Sequence, residues 1–198
     1  MPAIVDRQAE RKKIVLAFQD CLRSKPFDKI TVRDIAAQAG IPHPTLLTYF
    51  SSRSQVVLAY LDYIADQSVR QAQEWVQAHH RSDFSSDKDY VRGLLLCAVK
   101  LDSSSRLVYT GALNMYILGQ YEPELSLQIR REFEQWIAVL LQMLAEELRI
   151  TAPAPVLAHF VLACLEGICL GTYNGFFDGE ICENLLDFLS GVIIDAIK

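Results

Sequence analysis

The chain has 198 residues, 51% of them hydrophobic and 22% charged, which is enough to bury a sizeable core and excludes a disordered or low-complexity protein. Nine glycines and seven prolines are few for a turn-rich all-β fold, so a helical protein is expected. The formal net charge of −5 excludes a uniformly basic nucleic-acid binder but hides an asymmetry: residues 1–55 hold nine Lys/Arg against five Asp/Glu, and the rest of the chain ten against nineteen. A basic head on an acidic body points to a polyanionic partner for the head alone.

Helical periodicity runs through nearly the whole chain, and about nine helices are expected with no strand. The first, about 7–24, spaces Ile14, Ala17, Phe18 and Cys21 along one face, with Arg11, Lys12 and Asp20 on the other. Ser24-Lys25-Pro26 ends it, and Lys12, Lys13 and Lys25 read as a solvated face. A short helix begins at Thr31, where Thr31 and Asp34 match a capping box. Val32, Ile35, Ala36 and Ala39 form its apolar face, and Gly40 stands where a left-handed residue closes a helix. A third helix, about 43–49, is expected to bury Leu46 and Phe50 and to turn His43, Thr45, Thr48 and Tyr49 outward. Ser51 or Ser52 caps a long helix of about 54–80. Residues Arg81–Asp89 are polar and read as a loop. Helices over about 90–101, 105–118 and 123–149 follow, with breaks at 102–104, 119–123 and 151–155. The last two, about 155–177 and 181–197, meet at Asp178-Gly179.

The five cysteines (Cys21, Cys97, Cys164, Cys169, Cys182) form no CxxC pair and have no histidine at metal-ligand spacing, so reduced, buried thiols are expected, with no metal site. His159, Glu166 and Asn174 interrupt the apolar run from Pro155 to Phe177, which reads as a buried helix and not a membrane span. No metalloprotease, nucleophile-elbow, phosphate-loop or dinucleotide pattern occurs. No enzyme activity and no cofactor are expected, and the protein is read as soluble and cytoplasmic.

Two short helices joined through Gly40 are the helix-turn-helix pattern, in which the second helix enters the major groove of DNA. The run Ile30-Thr-Val-Arg-Asp-Ile-Ala-Ala-Gln-Ala-Gly-Ile41, then Pro44-Thr-Leu-Leu-Thr-Tyr-Phe50 and Ser51-Ser-Arg53, resembles the amino-terminal signature of the TetR family of bacterial transcriptional regulators. The resemblance covers about residues 11–60; beyond them the chain is similar only in architecture. It implies an all-α protein with a helix-turn-helix domain over 1–53 and an effector-binding and dimerisation domain over 54–198. It further implies DNA contacts from Thr31, Arg33, His43, Pro44, Thr45, Thr48, Tyr49 and Arg53. Leu47 stands where many members carry a phosphate-binding tyrosine, and Ser54 replaces an acid.

Two subunits are needed to read two half-sites. Ala163, Gly167, Gly171 and Gly175 recur every four residues and would let a second helix approach closely. Leu157, Val161, Leu165, Ile168 and Phe176 add apolar area beside them, and Leu185, Leu189 and Val192 extend it on the last helix. A four-helix homodimer interface is one outcome; burial of both helices within one subunit is the other. The resemblance also implies a small-molecule pocket, for which Cys97, Tyr109, Asn114, Tyr116, Trp136, His159 and Tyr173 are candidates suited to an apolar effector with one or two polar groups. The function expected is a ligand-responsive repressor binding a palindromic operator as a homodimer. The rivals are an effector-independent activator or global regulator of the same fold, and a helical ligand-binding protein that has lost DNA binding.

Overall fold

The computed structural model describes residues 6–99, 113–147 and 155–196. Among these, every regular element is helical: α1 (Arg7–Ser24), α2 (Val32–Gln38), α3 (His43–Tyr49), α4 (Arg53–Ala78), α5 (Asp87–Ala98), α6 (residues 113–119), α7 (Pro123–Glu147), α8 (Pro155–Tyr173) and α9 (Gly179–Ala196), with 3₁₀ turns at Phe27–Lys29 and Arg81–Asp83. The expected breaks at 102–104 and 151–154, and Tyr109, lie outside the described residues.

Local signals account for most helix ends. Asp6 caps α1 by accepting from the amides of Gln8 and Ala9. Thr31 and Asp34 form the capping box at α2, the Thr31 hydroxyl accepting from the Asp34 amide at 3.2 Å and the Thr31 amide donating to the Asp34 carboxylate at 2.8 Å. Gly40 follows α2 with φ +65°, the conformation a side chain would strain. Ser52 caps α4 through the amide of Gln55, whose side chain accepts from the amide of Ser51. The expected loop 81–89 is shorter than read. Ser86 accepts from the amide of Asp89 and starts α5 at Asp87, so the acidic tail of that loop is a first helical turn. Asp178 caps α9 in the same way, and α8 ends at Tyr173, four residues before its expected end.

The chain divides into two compact units. The head unit comprises 1–65 and 107–131, the body unit 66–106 and 132–198. In the head, α1, α2 and α3 pack around Ile14, Phe18, Ile35, Leu46 and Phe50, joined by Val56 and Tyr60 of α4. Met115 of α6 and Leu125 of α7 are fully buried in the same core. Both α4 and α7 start in the head unit and continue in the body unit.

In the body, α9 packs against α5 and α8 over Val91, Leu95, Val161, Leu165, Ile168, Leu186 and Ile193. Ion pairs between Lys88 and Asp187 (2.8 Å) and between Arg92 and Glu183 (3.0 Å) flank the α5–α9 seam. By length and composition α8 is apolar enough to cross a membrane, but only one of its faces is packed.

Candidate nucleic-acid interface

The short helix α3 is anchored by Leu46, which has no exposed surface, and by Phe50 just past its end. With those two fixed inward, helical spacing turns Pro44, Leu47 and Thr48 to solvent. His43, Thr45 and Tyr49 are half-buried instead of fully outward, and the Tyr49 ring packs on the head core. Leu47 is 41% exposed, an apolar side chain at the centre of the outward face.

Hydroxyl chemistry narrows what each residue offers. The Thr48 hydroxyl donates to the carbonyl of Thr45 at 2.7 Å, so in this rotamer it presents lone pairs and no proton. The Thr31 hydroxyl donates to the Asp34 carboxylate at 2.8 Å. Lys25, expected on a solvated face, reaches that carboxylate at 2.5 Å. The lysine, together with the Thr31 amide and hydroxyl, holds the Asp34 carboxyl down at about 2. Lys25 thereby neutralises a carboxylate that would otherwise repel an anion at the start of α2.

Arg33 is exposed and makes no ion pair or hydrogen bond among the described residues, so its five donors are available. Arg53, expected at the DNA, is held in part by the head itself. Its Nη2 donates to the carbonyl of Phe27 at 2.6 Å and its guanidinium lies 4.5 Å from the centre of the Phe27 ring. It is half-buried, and burial lowers its pKa. Arg53 thus ties the start of α4 to the turn before α2, a link across 26 positions that no local pattern signals.

The second candidate surface lies on α8 and α9. Val156, Phe160, Ala163, Gly167 and Leu170 are exposed along one side of α8. Phe188 (72% exposed) and Ile181 are exposed on α9, with Leu185 and Val192 half-buried. The expected small-residue row is corrected in part. Gly167 faces open space, but Gly171 is buried under the Phe177 ring, where a Cβ would come within 2.2 Å of it. Gly175 has left the helix with φ +74°. Leu189 is buried in the body core, as are Val161, Leu165 and Ile168. On a helix apolar all round, periodicity cannot say which side faces inward.

The expected effector residues that are described divide between the two units. Asn114 and Tyr116 belong to the head unit, Tyr116 against its core. Cys97, Trp136, His159 and Tyr173 belong to the body unit, where His159 is exposed on α8 with Nδ1 2.7 Å from the Pro155 carbonyl oxygen. A body cleft of about 500 Å³ is lined by Asp66, Val69, Arg70 and Gln73 of α4 and by Gln135 and Ala138 of α7, a more polar set than expected. All five cysteines are thiols outside any disulfide, and burial raises the Cys169 thiol to about 12.

Residues 19–60 match the family model of bacterial regulatory proteins of the tetR family, a span that runs from mid-α1 through the helix-turn-helix into α4. The fold is shared along the chain with solved structures of low identity. A transcriptional regulator from Rhodococcus sp. Rha1 superposes with TM-score 0.79 at 17% identity, covering 94% of this chain and 96% of its own. A TetR transcription regulator from Haloarcula marismortui gives 0.77 at 16%, covering 96% and 98%. A Saccharomonospora viridis regulator in complex with choline gives 0.73 at 15%, covering 94% and 96%. No curated protein matches the sequence. Residues 19–60 thus carry a match to the amino-terminal model of the tetR family of bacterial regulatory proteins, and the chain shares its fold along its length with solved transcriptional regulators.

Proposed function

We propose that the chain is a cytoplasmic transcriptional repressor that binds a palindromic DNA operator as a homodimer and releases it when a small molecule binds the body. Residues 1–53 meet DNA; residues 54–198 pair the subunits and take the effector. The observations that carry this reading are the outward face of α3, held by Leu46 and Phe50, and the exposed, unpaired Arg33 on α2. Arg33 forks onto a guanine edge or a phosphate. Pro44 and Leu47 make apolar contact with thymine methyls, and His43, Thr45 and Tyr49 border them. Thr31 and Thr48 lie along the phosphates, each after rotating its hydroxyl away from its present acceptor, the Asp34 carboxylate for Thr31 and the Thr45 carbonyl for Thr48. Arg53 serves from behind by holding the turn before α2.

Pairing runs through Val156, Phe160, Ala163, Gly167 and Leu170 of α8 with Ile181, Leu185, Phe188 and Val192 of α9. The support is that this exposed area is apolar and continuous in helical register, a surface monomeric proteins rarely leave open. The polar cleft between α4 and α7 favours an effector that bears charge or several hydrogen-bonding groups, because Asp66 and Arg70 face it together. Catalysis has no part in this reading. Selection of duplexes from a random pool tests it: the expected product is an inverted repeat whose half-sites lie about 34–36 Å apart or a multiple of that. Enrichment of no motif would overturn the DNA-binding reading, and a single half-site would overturn the dimer.

A further inference from the structure

The recognition helix has little of its own to hold its ends. It is seven residues long, with Pro42 at its N-cap, no side-chain cap and no basic residue in its last turn. Its last carbonyls carry the negative end of the helix dipole and lack donors within the helix. Two arginines of α1, one helical turn apart, reach them across about forty positions of sequence. Arg11 Nη1 donates to the Tyr49 carbonyl at 2.5 Å, and Arg7 Nη2 to the Thr48 carbonyl at 3.4 Å. The Arg11 guanidinium also lies 4.0 Å from the centre of the Phe50 ring, the buried residue at which α3 ends. Arg11 is itself half-buried, so the hydrogen bond and the ring contact are shielded from water.

We propose that Arg11 is a positioning residue for DNA recognition, capping the carboxyl end of α3 from α1 and fixing the angle at which Pro44, Leu47 and Thr48 face outward. This rests on α3 being the recognition helix. Arg11 acts through the α3 backbone and needs no phosphate of its own; Arg7 adds a longer, exposed contact to the same end. The short linkage through Gly40 sets where α3 begins, and Arg11 sets where it points.

Arg11→Met keeps the length and apolar stem while removing the charge and the donors. Two probes are used: a duplex enriched by the wild-type protein from a random pool, and an unselected duplex of equal length. The expected result is an affinity for the enriched duplex about tenfold weaker. The slope of log affinity against log salt stays unchanged on both duplexes, because no phosphate contact is lost. Amide hydrogen exchange quickens across residues 43–50 and holds steady across α2. Arg11→Lys recovers part of the affinity, and it carries the same measurements if Arg11→Met does not fold. A slope shallower by about one would mean that Arg11 binds a phosphate itself and would overturn the proposal. Unchanged affinity and exchange would overturn it as well. If the wild-type protein enriches no duplex, the DNA-binding reading fails, and the exchange rates of α3 alone still decide whether Arg11 clamps it.

Discussion

The head and the body bury similar kinds of side chain and differ in what they leave outside. The head closes its core around α1–α4 with Met115 and Leu125 added, and the apolar side chain that α3 leaves open is Leu47. The body leaves open a whole side of α8 and part of α9, from Val156 (77% exposed) to Phe188. The head unit also exposes Ile117, Tyr121 and Leu127 beyond α1–α4, so the contrast lies between α3, where one leucine stands among polar neighbours, and α8, where an apolar strip is open.

Four changes sharpen or break that contrast. The largest effect is expected from Gly167→Glu. The position faces open space, so the fold should survive, while a charge in the apolar strip should turn dimers into monomers by light scattering. A dimer that persists would remove this face from the interface. Gly171 offers no such clean test, since any side chain there strikes Phe177 before it reaches a partner. Next comes Arg33→Ala, which should leave the melting temperature alone and cost about 1–3 kcal/mol of operator affinity by fluorescence anisotropy. Unchanged affinity would take Arg33 out of the interface.

Thr31→Ala removes a helix cap and should lower stability by about 1 kcal/mol in a denaturant melt, acting on the head and sparing pairing. The smallest effect is acid-dependent. The Asp34 carboxyl is held below its ordinary value, so its contribution is complete above about pH 4 and is lost as pH falls toward about 2. Asp34→Asn should therefore be less stable than wild type at neutral pH, with the gap closing between those two pH values. A gap that stays constant would mean that ionisation of the Asp34 carboxyl, with Lys25 and Thr31 around it, contributes nothing.

The head was largely legible from sequence because its signals are local. Thr31 and Asp34 are three residues apart, Gly40 follows its helix directly, and Leu46 and Phe50 sit four apart, so each rule is applied within one or two turns. What escaped there was long-range: Arg11 reaching Tyr49 and Arg53 reaching Phe27 look like ordinary surface charges on their own helices. The body was legible only as helices. Along α8 nearly every residue is apolar, so Leu165 and Gly171 on the packed side and Phe160 and Gly167 on the open side carry the same signal. The effector candidates were chosen by side-chain type, and convergence is a property of tertiary packing that single positions do not encode. The polar residues of the described cleft, Asp66, Arg70 and Gln73, look like the solvated face of a long helix.

The most direct test is an anisotropy titration of the purified protein against an enriched duplex and a scrambled duplex of equal length at one fixed salt concentration. The account predicts two chains on the enriched duplex, bound at least about a thousandfold more tightly than the scrambled one. Equal affinity for the two duplexes, or one chain per duplex, would contradict it.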